Sequence, residues 1–315
     1  MTLRVAVQMD PLESINIAGD SSFALMLSAQ ARGHRLWHYD VRSLAWEDGR
    51  LTAWAAPVRV QRVEGQHYGF EGDEAKIDLA SDIDVVLMRQ DPPFDLGYIS
   101  AALLLDRLKG TTLVVNDPSS VINAPEKMFV LDYARFMPPT LVARRIEDVR
   151  AFQRKHGAVV VKPLHGNGGK AIFKVDADGT NLSAIVELFG TVWPEPFMVQ
   201  PFLPEVADGD KRIVLVDGEF AGAINRRPGE GEFRSNLVQG GSAEATSLTA
   251  REEEICAALG PELKRRGLVF VGIDVIGGRW LTEINVTSPT GIVAIDTFNG
   301  TDTAARIWDA IEARL

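Results

Sequence analysis

Three short and nearly unbroken apolar runs limit what the first third of this chain can fold into: LRVAVQM (3–9), DVVLMR (84–89) and TLVVN (112–116). Runs of this length read as buried strands. The segments between them carry helical spacing. Asp20 or Ser21 can cap a helix over SFALMLSAQARG that stops at Gly33, and a second helix is expected over 95–109. HRLWHYD (34–40) reads as a further strand, and the alternating LTAWAAPVRVQRV (51–63) as an edge hairpin or antiparallel addition. Strands separated by helices give an open α/β layer with parallel pairing. No G-x-G-x-x-G follows the first strand, so the dinucleotide fingerprint is absent. A ligand crevice is still expected at the strands' carboxyl ends, in the loops MDPLESINIAGDSS and MRQDPPFD, which carry Asp10 and Arg89.

Beyond residue 120 the order of elements changes. NAPEKMFVLDYARF reads as a helix with Pro125 near its first turn. PPTLVARR reads as a strand, IEDVRAFQRKHG as a helix and AVVVKP as a strand. A glycine loop follows, then the strand AIFKV, the helix NLSAIVELFG and the strand PFMVQPFLP. KRIVLVDGEFAGAIN is a hairpin turning at Asp217-Gly218 and is followed by the Gly-rich RRPGEGEFRSNLVQGGS. A long helix (249–266), a hairpin over LVFVGIDVIGGRWLTEIN and a last helix in TAARIWDAIEARL complete the chain. Three units are expected, 1–120, 121–200 and 201–315.

The glycine loop VVVKPLHGNGGKAIFKV (159–175) places Gly166, Gly168 and Gly169 between Lys162 and Lys170. A Walker A loop needs G-x-x-x-x-G-K-[ST] opening a helix. Here Ala171 follows Lys170, Leu164 stands where the first glycine belongs, and the next element is a strand. The loop therefore joins two strands, as a plain turn or as a flap whose backbone N–H groups approach phosphate.

Asp274, Glu283 and Asn285 form the second constellation. Glu283 and Asn285 are two apart on a strand and share a face. A two- or four-residue loop at Gly277-Gly278 pairs Asp274 with Leu281 and puts all three on that face; a three-residue loop separates them. Two carboxylates and an amide oxygen suit Mg²⁺. The cations Lys127, Lys162, Lys211, Arg212, Arg226, Arg227 and Arg234 gather around these loops, as a triphosphate site requires.

Composition excludes other classes. The net charge of −10 argues against nucleic acid as the main partner. Cys256 is the sole cysteine, which rules out an intramolecular disulfide and a cysteine-built metal site; in its helical setting it reads as a small buried side chain. No apolar run is long enough to span a membrane and the start is too short for a signal peptide core, so a cytoplasmic protein is expected. There is no G-x-S-x-G and no H-E-x-x-H, and His34/His38 lack a third ligand.

Together these pieces resemble the ATP-grasp superfamily. Within it, MDPLESINIAGDSSFALML, MRQDPPFD, VKPLHGNGGKAIF, GDKRIVLVDGE and LTEINVTSPTGI are similar to the bacterial glutathione synthetase family over essentially the whole chain. The resemblance implies an α/β protein, α+β in its ATP-binding part: an ATP-grasp fold behind an N-terminal open α/β domain. It implies that γ-glutamylcysteine, phosphorylated by ATP, is attacked by glycine. Lys127, Lys162, Gly166, Asn167, Gly168 and Gly169 match phosphate contacts, Gln200, Phe202 and Leu203 the adenine hinge, and Asp210 a ribose contact. Asp274, Glu283 and Asn285 match ligands of Mg²⁺, with two ions expected and Mn²⁺ as a substitute. Arg212 and Arg226 match the arginines at the transferred phosphoryl group. Arg89, Asp20, Ser21, Ser22, Asn285, Ser288 and Thr290 match peptide contacts, and 227–241 a mobile lid. A homo-oligomer, dimer or tetramer, is implied as well. Gln90, which replaces a lysine of some relatives, and Trp280, an added residue at the hairpin turn, depart from the pattern. The competing readings are another ATP-grasp ligase, of D-Ala-D-Ala or glutamate-adding type, and a non-catalytic ATP-binding regulator.

Overall fold

The computed structural model describes residues 2–166, 168–229, 231–232, 234–235 and 241–315. In the first unit the strands are β1 (Arg4–Gln8), β2 (Arg35–Tyr39), β3 (Leu44–Glu47), β4 (Arg50–Val60), β5 (Tyr68–Phe70), β6 (Ala75–Asp78), β7 (Val85–Met88) and β8 (Leu113–Val115). Their path is β3-β4-β2-β1-β7-β8, with β5 and β6 also paired to β4. The pairs β2-β1, β1-β7 and β7-β8 are parallel, and β4 adds antiparallel to β2. Helix α1 (Ser21–Ala31) is capped by Asp20, whose carboxylate accepts from the Phe23 N–H at 2.6 Å. Helix α2 (Leu96–Leu105) is capped in the same way by Asp95, and α3 (Pro118–Ile122) leads out of the unit. The loops after β1 and β7 thus lie side by side at one end of the sheet.

The expected helix over 123–136 is broken. Only α4 (Glu126–Phe129) is α-helical; 3₁₀ turns follow, with a non-helical backbone at Tyr133. A four-stranded antiparallel sheet comes next, ordered β11-β10-β12-β9, with β9 (Leu141–Ala143), β10 (Val159–Pro163), β11 (Phe173–Val175) and β12 (Phe197–Pro201). Helices α5 (Ile146–His156) and α6 (Leu182–Val192) cover one face, where Val149, Val159, Val161, Phe189 and Val199 form a core of their own. Strand alternation turns Val160, Lys162, Met198 and Gln200 to the other face.

The last sheet has the order β15-β14-β13-β16-β17, all antiparallel: β13 (Asp210–Val216), β14 (Glu219–Arg227), β15 (Ser242–Ala245), β16 (Phe270–Ile276) and β17 (Trp280–Asn285). The β13-β14 turn is a two-residue loop, with Asp217 and Gly218 both at positive φ, as the hairpin twist demands. Helix α7 (Ala250–Arg265) begins in a capping box of Thr249 and Glu252. Helices α8 (Ile292–Asn299) and α9 (Thr303–Glu312) end the chain. Strand β15 and helix α8 were not legible in the sequence.

The β16-β17 hairpin corrects an expectation. Ile276 pairs with Trp280, so the loop is three residues, the case that should separate Asp274 from Glu283. Leu281 pairs with Val275, not with Asp274. A β-bulge at Thr282 inserts one unpaired residue, and Asp274 comes to lie opposite Glu283 after all. The Thr282 hydroxyl donates to the Asp274 carbonyl at 3.1 Å and anchors the bulge.

The first and last units share their apolar cores. Val5, Val7, Phe23 and Leu25 pack in one cluster with Val214, Ile295 and Trp308. The Trp308 indole N–H donates to the Leu25 carbonyl at 2.9 Å, and Asn116 bonds the backbone of both Phe270 and Val286. Trp308→Ala is expected to cost about 3–5 kcal/mol of stability. A urea midpoint within experimental scatter of the parent protein would contradict this role for α9.

Candidate functional site

A cleft of about 850 Å³ lies between the glycine loop, the end of β12 and one face of the last sheet. Pairing explains that face. Asp210 lies opposite Arg226, Arg212 opposite Asp274, Asp274 opposite Glu283, and Asn285 opposite Gly272. These six polar side chains therefore point the same way, while Ile213, Leu215, Ile273 and Val275 fill the core behind them.

Asp274 is the electrostatic centre. Arg212 donates Nε to Oδ1 at 2.7 Å and Nη2 to Oδ2 at 3.1 Å, a two-pronged contact, and Arg226 Nη2 lies 3.0 Å from Oδ1. Burial alone would raise the Asp274 carboxyl; the two arginines outweigh it and hold the group well below the usual carboxylate range. Arg226 also pairs with Asp210, its Nε donating at 2.6 Å. Burial raises the Asp210 carboxyl despite this arginine. Asn285 Nδ2 donates to Asp274 Oδ2 at 3.4 Å.

The lysines enter from the other wall. Lys127 Nζ donates to the Gly166 carbonyl at 2.8 Å and stands 3.2 Å from Glu283. Burial pulls this ammonium down, but Glu283 and Glu126 outweigh it and the net shift is upward. Lys162 is 8% exposed and makes no ion pair among the described residues. Its pKa is lowered, chiefly by burial and then by Lys127, against the pull of Glu283. A buried ammonium facing a cleft without a counter-ion is a ready anion site.

The glycine loop owes its shape to its glycines. A Cβ at Gly166 would sit 2.5 Å from Pro163 Cγ, and Gly168 and Gly169 adopt φ of 59° and 74°. Asn167 lies outside the described residues, as do parts of the expected lid, Glu230, Phe233 and 236–240. Two described residues of that stretch reach the cleft. Arg234 Nη1 donates to the Gly169 carbonyl at 3.3 Å, and buried Ser235 hydrogen-bonds Asp210.

At the hinge, Gln200 does not present its side chain freely, since its Nε2 donates to Thr140 Oγ1 at 2.9 Å. The Phe202 N–H donates to the Ala158 carbonyl at 2.9 Å. The Leu203 N–H makes no hydrogen bond among the described residues.

The expected peptide contacts gather in a crevice between the first and last units. Ser21 Oγ accepts from the Gly291 N–H at 3.2 Å, and Ser22 Oγ accepts from Arg89 Nε at 2.9 Å. Ser288 Oγ donates to the Arg89 carbonyl at 3.2 Å. Thr290 is exposed, and its carbonyl accepts from Arg212 Nη1 at 3.3 Å. The loop 286–291 thus bridges Arg89 and Arg212.

Glu126 was missed in the sequence. It neighbours Lys127, and adjacent residues do not share a helix face. In the fold it accepts from Thr287 Oγ1 at 3.3 Å and lies 4.0 Å from Lys127 Nζ. Burial raises its carboxyl to about 7, with Lys127 opposing. Lys127, Lys162, Arg212 and Arg226 therefore face Glu126, Asp210, Asp274 and Glu283 in a nearly balanced site. A triphosphate adds negative charge that this balance does not neutralise, and divalent cations would. Among the described residues no three His, Cys, Asp or Glu converge as a metal cluster; the fitting donor set is Asp274, Glu283 and the Asn285 amide oxygen.

Asp274→Ala leaves buried Arg212 without a carboxylate and strips Arg226 of one of its two acids, and is expected to destabilise the fold by about 3–5 kcal/mol. Glu283→Ala, which leaves Lys127 bonded to Gly166, should cost distinctly less. Chemical denaturation of both variants measures the difference, and equal midpoints would refute the central place of Asp274.

Comparison with known proteins agrees with this geometry. Residues 3–121 match the profile of the prokaryotic glutathione synthetase N-terminal domain, and residues 126–300 that of its ATP-grasp domain. The chain is 55% identical to glutathione synthetase of Rhodopseudomonas palustris, over 100% of this chain and 99% of that protein. It is 53% identical to that of Bradyrhizobium diazoefficiens over the same shares. In fold it is similar to the solved D-cycloserine synthetase DcsG, with a TM-score of 0.70 at 16% identity, covering 98% of this chain and 99% of that one. It is also similar to the ATP-grasp ligase PsnB complexed with minimal precursor, with a TM-score of 0.64 at 18% identity and full coverage of both chains.

Proposed function

The chain belongs to the prokaryotic glutathione synthetase family, and from that premise we propose how its residues divide the work. The protein is an ATP-dependent ligase that joins γ-glutamylcysteine and glycine to glutathione. Two substrates must meet one phosphoryl donor, and the cleft with its adjoining crevice has the layout for that.

The observation that carries the reading is the pairing of an ion-free, buried Lys162 with the Asp274–Arg212–Arg226 cluster across one cleft. Lys127, Lys162 and the glycine loop hold the phosphates of ATP. The Leu203 N–H and the hinge backbone read adenine, and Asp210 meets the ribose. Mg²⁺ fits Asp274, Glu283 and Asn285, and when bound would neutralise charge on the phosphates. Arg212 and Arg226 face the transferred group. The terminal P–O bond of ATP breaks as a new P–O bond forms to the cysteinyl carboxylate. The glycine amine then attacks that carbonyl carbon, a C–N bond forms, the amine loses a proton and phosphate leaves. Such chemistry needs positioning and charge neutralisation more than a protein nucleophile.

Arg89, Asp20, Ser21, Ser22, Ser288 and Thr290 hold γ-glutamylcysteine, Ser21 and Ser22 mainly by fixing the loop and the arginine. The stretch 227–241 acts as a lid through Arg234 and Ser235, keeping water from the acyl phosphate. We divide the chain into units 1–120, 121–200 and 201–315. No described helix is long and apolar enough to cross a membrane. A cytoplasmic homo-oligomer, dimer or tetramer, is the assembly we expect.

Phosphate release from ATP should require γ-glutamylcysteine and glycine together; equal turnover with D-alanine would overturn the substrate assignment. Glu283→Gln is expected to lower kcat by about 100-fold or more at ordinary Mg²⁺ while the protein stays folded. Unchanged activity would remove Glu283 from the ion's ligands. Arg234→Ala should release phosphate in excess of glutathione formed, and a one-to-one ratio in that variant would rule out its part in excluding water.

A further inference from the structure

The glycine loop meets separate parts of the molecule through closely spaced residues, and one of these contacts has no place in the phosphate site. Gly166 offers its carbonyl to Lys127 Nζ at 2.8 Å, and Gly169 offers its own to Arg234 Nη1 at 3.3 Å. His165 stands just before Gly166. Its imidazole packs on the Phe94 ring, with centroids 5.6 Å apart and planes tilted by 32°. Phe94 belongs to the first unit. It follows Arg89 in the loop after β7 and precedes Asp95, the cap of α2, and its ring meets that of Tyr98 on the same helix at 5.4 Å. The loop that carries the phosphate glycines therefore touches, at its start, the loop that carries Arg89.

Hydrogen bonding does not account for this contact. His165 Nδ1 is buried and has no partner among the described residues. Burial holds the imidazole below its usual range, with Glu195 opposing and Lys127 adding to the shift, so the ring is neutral at pH 7. What remains is the aromatic face. A cavity of about 260 Å³ lies beside the two rings, lined also by Pro92, Glu126 and Thr287, so their surroundings do not lock them in place. Two packed bodies face each other here. The wall with Lys162 has a core of Val149, Val159, Phe189 and Val199, whereas Phe94 and Tyr98 pack with the core that joins the first unit to the last sheet. Leu164 and Met198 reach from the wall into that shared core. A nucleotide that draws the glycine loop onto its phosphates thus acts, through His165, on the loop after β7.

We propose that Phe94 and His165 are positioning residues that couple the two halves of the site: phosphates held by the glycine loop seat His165 on Phe94, and the stack steadies the β7 loop for the dipeptide. The proposal rests on ATP and γ-glutamylcysteine being the substrates. Coupling between two binding sites is reciprocal, so a dipeptide in the crevice tightens the nucleotide by the same factor as the nucleotide tightens the dipeptide. The carboxylate to be phosphorylated is then best held when the phosphoryl donor is also in place.

Binding without turnover tests this. AMP-PNP with Mg²⁺, and γ-glutamylcysteine, are titrated singly and together by calorimetry, with no glycine present. The proteins are the parent, Phe94→Ala, His165→Ala, the double variant and His165→Phe, each shown by its thermal midpoint to be folded. In the parent, AMP-PNP should tighten γ-glutamylcysteine by about tenfold, and the dipeptide should tighten AMP-PNP equally. Either alanine variant should cut that factor by about three- to tenfold, and the double variant should cut it no further than the single ones. His165→Phe keeps a ring without the nitrogens and should retain the factor. A merely structural defect would weaken each ligand alike in the presence and absence of the other, and leave the factor unchanged. A factor of one in the parent, or the parent's factor in both alanine variants, overturns the coupling. If one alanine variant does not fold, the other decides the matter alone. Failure of the parent to bind γ-glutamylcysteine with or without AMP-PNP overturns the substrate reading, and the coupling with it.

Discussion

A single buried carboxylate, Asp274, sets the register of the whole polar face of the last sheet. Its two oxygens are held by Arg212 and Arg226 on neighbouring strands, and it lies directly across from Glu283. A buried charge of this kind is stable only with its partners in place. Any slip of β13 against β14 or β16 would therefore turn an arginine into the core and strand the acid. The same contact fixes Arg226 beside Asp210 and leaves the Asn285 amide oriented towards Asp274. Specificity of pairing and placement of the chemistry follow from one ion cluster.

The opposite wall works by absence of pairing. Strand alternation in β10 sends Val159 and Val161 to the helices and Lys162 to the cleft, where no carboxylate among the described residues pairs with it. The glycine loop that follows holds Lys127 through the Gly166 carbonyl, which links helix α4 to the loop before any ligand arrives. In the proposed site, phosphate would meet one lysine already fixed and one already desolvated. Both conditions lower the ordering cost of binding.

The sequence made the fold class and most strands legible because their signals are local. Buried strands read as apolar runs, α1 as a capped periodic segment, and Asp217-Gly218 as a hairpin turn whatever surrounds them. The misses are non-local. Nothing in WLTEIN tells that Thr282 will bulge; the bulge exists because Leu281 must stay in the core with Val275 while Glu283 meets Asp274. Glu126 sits next to a recognisable lysine, yet its importance comes from Thr287, far along the chain. Strand β15 (SAEA) has no β-rich composition and forms by pairing with the edge of β14. Arg89 was legible as a charge in a crevice loop, but that it pairs with no carboxylate among the described residues is a property of the assembled core alone.

Placement of the two sites follows from how the cores are shared. The first unit and the last sheet pack into common clusters, tied by Trp308 to Leu25 and by Asn116 to Phe270 and Val286. The crevice and the Asp274 face are therefore parts of one packed body, connected by the loop 286–291. The sheet that carries Lys162 keeps a separate core on its helix side. On the proposed division of roles, a substrate held in the crevice would be fixed relative to the arginines that meet its carboxylate, whereas the nucleotide would be gripped between that body and a wall packed on its own helices. On that reading, the geometry that must stay constant during phosphoryl transfer would lie within the shared core, and the side from which ATP enters and ADP leaves would lie at its boundary.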